Sequence, residues 1–365
     1  KWWKIDKVLA SQWVRKETFN VLEDEVLPLM DDEEPVVQER KTKRARPDVV
    51  DWFTRIGKGV EIAVTEVLNT VSLKILQSLK PEWLYKSVRD DETIKTGGTR
   101  YTWDKSISKM IPLYQQECPA GHNVTYEYRV YDGIKLARRH AKGSVKGVTA
   151  LQRMKSGMRP ACVEGIDVDG VKMFFNLFCD LAENAERDYP CMVEYAQHGA
   201  RILGEVQRMY GCTKKVAKLL FNTVYAELEN ADILGKWRKK NSIMACNEQW
   251  ETGWFATFVA NVRACRKELL ARWPVFVKAA QWREAQPDYK QEFGSYTNIV
   301  GKAISYLLQS AEDVCIEELR LFYERTFSIA VVALMFDGIL FAEHEGVNAK
   351  LQRAQAHIRK VFGWS

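Results

Sequence analysis

The sequence predicts an α+β fold, mostly helical, with a small antiparallel sheet. Three observations carry this. From residue 174 onward, apolar residues recur at helical spacing almost without a break. The stretch "NVTYEYRVY" (123–131) alternates apolar and polar residues, as a half-buried strand does. The stretch "VVALMFDGILF" (331–341) sets Asp-Gly between two apolar runs, the pattern of a tight hairpin.

Along the chain, residues 1–50 are mixed. Trp2, Trp3 and Trp13 suggest docking onto a protein partner, and "DDEEPVVQERKTKRARPD" (31–48) passes from acidic to basic as a solvated linker does. Residues 51–90 carry helical periodicity through Val60, Ile62, Ala63, Val67, Val71, Ile75 and Leu79. Residues 92–130 read as loop and strand, including "TGGTRYTW". The stretch "ACVEGIDVDGVKMFF" (161–175) holds a strand. Helices are expected at about 174–187, 191–209, 213–228, 252–271, 299–325 and 346–361. No internal repeat occurs. Four regions result: an N-terminal helical region (1–123), a basic segment with the first strand (124–173), a helical lobe (174–290), and a last unit with the hairpin and a C-terminal helix (291–365).

The chain has 365 residues, 46% hydrophobic and 28% charged, with a net charge of +6, so global disorder is excluded. Eight scattered cysteines without a CxxC pair fit reduced thiols in an intracellular setting, with nucleus, mitochondrion and viral factory not distinguishable. Cys118-Pro-Ala-Gly-His122 lacks the second ligand pair of a zinc site. No apolar run is long enough to span a bilayer, so no membrane partner is expected.

Five stretches bear chemistry. Asp337 at the hairpin tip is either a turn residue or a metal ligand held at a strand end. Asp167 and Asp169 stand two apart and so share one strand face; they repel unless a cation lies between them, or they mark a solvent-facing edge. In "YGCTKKVAKLLFNTVYAEL" (210–228), Thr213 is an N-cap, Lys214 and Lys218 share a helical face, and Tyr225 falls close to it. Such a face suits a nucleoside triphosphate, or it is merely solvated. Between Asp132 and Glu164 no acid occurs, while Lys135, Arg138, Arg139, Lys142, Lys146, Arg153, Lys155 and Arg159 do. That glycine-punctuated stretch fits a nucleic-acid backbone, or a solvated loop. Asn298 and Lys302 recur at helical spacing and line either a nucleic-acid groove or a wet face.

Taken in order, these signals resemble family A DNA polymerases and the related phage-type single-subunit polymerases. The likeness covers about residues 124–345 and is closest to divergent members of viruses and mobile elements. The strand of Asp167 resembles motif A, the helix of Lys218 resembles the fingers O-helix, and Phe336-Asp337-Gly338 resembles motif C. "ALQR" (150–153) is similar to the family's template-contacting stretch, which adds Gln152 to the nucleic-acid contacts. The resemblance implies a right hand with palm and fingers. It implies template-directed nucleotidyl transfer, DNA favoured over RNA, on primer–template and nucleoside triphosphates. Mg²⁺ or Mn²⁺ would sit on Asp167, Asp169 and Asp337, with Lys218 as proton donor. Two departures stand out. Lys172 replaces the sugar-screening Glu five residues after Asp167, and Tyr225 comes seven rather than eight residues after Lys218. The alternative is a non-catalytic nucleic-acid-binding replication scaffold with a degenerate palm.

Overall fold

The computed structural model describes residues 3–8, 55–56, 61–67, 69, 71, 74, 94–96, 99–101, 112, 116, 121–142, 150–153, 163, 165–170, 173–228, 231–293, 298–335 and 338–362. The fold is mostly helical with small antiparallel sheets. The strands are β1 (Trp3–Val8), β2 (Ile62–Glu66), β3 (Ile94–Thr96), β4 (Thr99–Tyr101), β5 (His122–Tyr131), β6 (Ile134–Ala141), β7 (Gly165–Gly170), β8 (Val331–Leu334) and β9 (Gly338–Phe341). They form a four-stranded sheet ordered β1-β7-β9-β8, a three-stranded sheet ordered β2-β5-β6, and a two-stranded ribbon β3-β4.

Within residues 51–90 the expected helix is corrected at β2, while Val71 and Lys74 are helical and most of the remaining residues lie outside the described ones. β2 alternates strictly, with Ile62, Val64 and Glu66 inward, while Val67 and Val71 are exposed. Val and Ile at these positions satisfy a period of two as well as one of 3.6, and pairing with β5 decides between them. β1 pairs with β7 and β2 with β5, so strands from the first 123 residues join sheets formed with later strands. Trp2, Trp13 and the basic run at 41–46 lie outside the described residues, as does the side chain of Trp3.

The β5–β6 hairpin turns at Asp132 and Gly133, whose φ values are 50° and 75°. Two successive positive φ values are what a type I′ turn needs, and Asp-Gly supplies them. Ala137 (φ 64°) then makes a bulge that shifts the register between Tyr128 and Arg129.

The helices are α1 (Met173–Leu181), α2 (Ala185–Asp188), α3 (Pro190–Tyr210), α4 (Lys214–Val224), α5 (Ile233–Lys240), α6 (Ala256–Arg272), α7 (Val275–Ala285), α8 (Pro287–Phe293), α9 (Ile299–Phe327) and α10 (Val347–Phe362). A π-helical turn, Glu251–Phe255, leads into α6. Thr213 caps α4 by accepting from Val216 N at 3.3 Å, as expected from the sequence. α5, α7 and α8 go beyond the sequence reading; they are short, and small or charged residues thin their apolar pattern. α9 is the spine, buried from Ala303 to Tyr323 on most of its surface and packed against β6, α1, α7 and α10. Its start lies against the end of α4: a Cβ on Gly301 would stand 2.1 Å from Ala226 O, so only glycine permits this approach.

Candidate functional site

β7 is an inner strand, flanked by β1 and β9. Ile166 and Val168 are fully buried on one face, while Asp167 and Asp169 are half-buried on the other. The pairing of β7 with β9 sets Asp169 opposite Gly338 and Asp167 opposite Leu340. Asp169 is thus level with the residue that follows Asp337 in sequence. Gly338 is held to glycine by this packing, because a Cβ there would meet Val168 O at 2.7 Å and Asp169 Oδ1 at 3.4 Å. Met335 N donates to Gly338 O at 3.0 Å, closing the β8–β9 hairpin. Phe336 and Asp337 lie outside the described residues. Among the described residues no three His, Cys, Asp or Glu come together as a metal cage. The half-buried pair on β7 is a donor set of the hard-oxygen type that suits Mg²⁺.

The residue just past β7 adds something the sequence reading missed. Phe174, five residues after Asp169, stands edge-on to Tyr225 with ring centroids 5.2 Å apart. Tyr225 ends α4, and Phe175 also meets it at 6.5 Å. Burial raises the Tyr225 hydroxyl above its usual value; nearby Arg138 lowers it and Glu312 raises it. The buried Arg266 fixes the end of α4 by donating to Tyr225 O at 3.2 Å and to Glu227 O at 2.7 Å. Lys214 and Lys218 are exposed on α4, and neither makes an ion pair among the described residues.

The basic segment is corrected in several places. Arg139 is 1% exposed and carries no surface charge. Its Nε donates to Asp313 at 3.1 Å and its Nη1 to Glu317 at 2.7 Å, while Tyr128 donates its hydroxyl to Asp313. Burial opposes ionisation of Glu317, yet Arg320 and Arg139 together hold its carboxyl below the usual range. Gln152 is buried as well, accepting from Ala141 N at 2.8 Å and donating to Arg139 O at 3.2 Å. Neither can reach a nucleic acid. The local absence of acids misled because α9 brings its carboxylates from more than 170 residues away. Arg138 is mostly buried and 3.3 Å from Glu312. Lys142 is exposed and paired with Glu127 at 3.0 Å. Lys146, Arg159 and the side chain of Arg153 lie outside the described residues.

Asn298 and Lys302 are likewise engaged in structure. Asn298 caps α9, accepting from Gly301 N at 3.0 Å and donating to Ala226 O at 2.6 Å. Lys302 pairs with the buried Glu284 at 3.0 Å and stands 3.5 Å over the Tyr289 ring. In place of a nucleic-acid groove or a wet face, Asn298 and Lys302 stand at a packed junction of α7, α8 and α9.

No known protein family matches the chain, and no curated protein does. Among solved structures, the chain is similar to the POL domain of Pol1 from M. smegmatis, solved in complex with DNA primer-template and dNTP. The TM-score is 0.43 and the sequence identity 12%; the match covers 82% of this chain and 64% of that one. The chain thus spans less than two thirds of that structure's length, and no assignment rests on the likeness.

Proposed function

We propose that the chain is a template-directed nucleotidyltransferase, with deoxynucleotides favoured as substrates. The observation that carries this reading is the register of β7 on β9, which levels Asp169 with the neighbour of Asp337 across two paired strands. Carboxylates of Asp169 and Asp337 so placed would repel each other, and a cation between them would offset that repulsion. In such a transfer a 3′-hydroxyl oxygen attacks the α-phosphorus of the nucleotide, and pyrophosphate leaves as the new P–O bond forms. Asp169, Asp167 and Asp337 would hold Mg²⁺ or Mn²⁺; a divalent cation bound there makes the hydroxyl more acidic and offsets the phosphate charge. Lys214 and Lys218 would neutralise the triphosphate, with Lys218 giving the leaving group its proton. Tyr225 would back the nucleotide from the end of α4.

Phe174 supports the choice of sugar. With Asp169 as the metal ligand, Phe174 takes the position five residues on, where the resemblance puts the sugar-screening residue. A rigid ring there, braced by Tyr225, would crowd a 2′-hydroxyl. Phe174→Ala is expected to narrow the preference for dNTP over NTP by about 10- to 100-fold, read as single-nucleotide incorporation. An unchanged ratio would remove Phe174 from the sugar contact.

The deciding experiment is primer extension with Mg²⁺ or Mn²⁺, comparing the wild-type chain with Asp169→Ala and Asp337→Ala. Each substitution is expected to lower extension by at least about 100-fold with primer–template binding retained. A second reading, a non-catalytic nucleic-acid binder in which Asp337 would serve only the turn, draws support from the Met335 N to Gly338 O bond of 3.0 Å, which closes the β8–β9 hairpin as a plain turn would. Wild type that binds DNA yet extends no primer with any nucleotide, and binds nucleotide no better with Mg²⁺, would favour that reading.

A further inference from the structure

One end of the α4–α5 hairpin gathers positive charge from separate parts of the chain. Trp237 Nε1 donates to Val216 O at 2.9 Å, which lays the last turns of α5 against the first turn of α4. Lys239 and Lys240 thereby come to the end where Lys214 and Lys215 open α4. Tyr210, the last residue of α3, packs edge-on against Trp237 at 5.3 Å and brings the exposed Arg208 to the same end. All four lysines are exposed, and none makes an ion pair among the described residues.

The nearby carboxylates do not offset them. Glu251 accepts from Arg238 at 2.9 Å and from the Tyr210 hydroxyl at 2.7 Å. Glu227 is paired with Lys236 at 3.3 Å, and Asp232 caps α5. Glu248 is the exposed acid of the following turn. Lys239 and Lys240 gain from the negative end of α5, whereas Lys214 and Lys215 stand at the positive end of α4 with no acid in that turn. A fold that assembles this charge against its own helix field has raised a positive potential at one place.

We propose that Lys215, Lys239 and Lys240 at this end form a docking surface for a nucleic-acid backbone, beyond the triphosphate role given to Lys214 and apart from the pairing of β7 with β9. It does not rest on nucleotidyl transfer, since a non-catalytic binder would use it equally. The surface lacks what other partners need. The connecting loop offers one large exposed apolar side chain, Met244 at 95%, too little for the apolar centre of a protein interface or for a membrane-bound stripe. The loop is also pre-set. Ile243 N donates to Arg238 O at 3.0 Å, Asn241 Nδ2 to Trp237 O at 2.8 Å, and Trp250 N to Asn247 Oδ1 at 3.0 Å. The end of α5 that carries Lys239 and Lys240 is therefore fixed in the backbone, which sets where its cations meet successive phosphates.

The test is fluorescence anisotropy of a short labelled single-stranded oligonucleotide with the full chain, without metal or nucleotide, across a salt series. Lys215→Ala/Lys239→Ala/Lys240→Ala leaves Lys214 untouched and removes only exposed side chains; circular dichroism checks its fold. The triple variant is expected to bind about 10-fold more weakly near 0.1 M salt, with the slope of log affinity against log salt reduced by about 2 to 3. The matched variant Lys278→Ala/Lys290→Ala/Lys360→Ala, which removes exposed lysines of other helices, is expected to bind like wild type. An unchanged slope in the first variant, or an equal loss in the second, would overturn the proposal. So would polyglutamate displacing the oligonucleotide charge for charge, which marks an acidic-protein surface. A greater loss in Met244→Ala than in the lysine variant would overturn it too, as apolar docking. Primer extension is read separately, so neither proposal falls with the other.

Discussion

Arg139 is enclosed by Asp313, Glu317 and Tyr128, so removing its guanidinium takes from the buried Asp313 the cation it faces, while Glu317 keeps Arg320. Arg139→Met is expected to lower the free energy of unfolding by about 3 to 5 kcal/mol in urea titration. A loss under about 1 kcal/mol would show that the acids take up protons instead. Glu66 poses the opposite case. It is fully buried, accepting from the Tyr126 hydroxyl at 2.5 Å and from Leu151 N at 2.8 Å. Burial lifts its carboxyl above 4.5 despite those two bonds. Its folded value exceeds its unfolded one, so the folded state takes up the proton first as pH falls. Stability measured against Glu66→Gln should therefore shift in favour of wild type from neutral pH toward 4.5. A difference that holds constant with pH would mean that Glu66 does not titrate in that window. Neither residue was legible in sequence. Arg139 reads as part of a basic run, and nothing local singles out Glu66, because the groups that bury them are remote in the chain.

At the scale of elements, legibility follows the range of the interactions. The long helices α3, α4, α6, α9 and α10 lie close to where apolar periodicity puts them, since a helix hydrogen-bonds to itself. The β8–β9 hairpin was legible for the same reason. β1 was not read, and β2 was misread, because a strand is decided by its partner. The candidate site divides the same way: the acids of β7 stand out in the sequence, while their register, Asp169 opposite Gly338 and Asp167 opposite Leu340, is set by pairing with β9 alone. The α4–α9 junction can be tested directly. Gly301→Ala drives a methyl into the Ala226 carbonyl and is expected to cost about 1 to 3 kcal/mol in chemical denaturation. An unchanged midpoint would mean that α9 can slide from α4 freely.

Over the whole molecule, a net charge of +6 conceals a division of labour. The arginines of β6 are neutralised inside by α9, whereas the lysines of α4 and α5 remain open to solvent. The four-stranded sheet ties both ends of the chain to one strand, since β7 has β1 on one edge and β9 on the other. Deleting residues 1–8 would bare the β1 edge of β7 beside Asp167 and Asp169. Self-association at micromolar concentration, seen by light scattering, is the expected result; a monomer as stable as the full chain would show that β1 contributes little.

The same strand has a history during synthesis. β7 leaves the ribosome with β1 already made, but its other partner is the far strand of the last hairpin. At ordinary translation rates β7 waits roughly 10 to 30 s for β9, with one row of amides and carbonyls unmatched. Through that interval the nascent chain carries its two central acids on a half-built sheet. Until the final hairpin emerges, that edge stays open to pairing with a neighbouring strand.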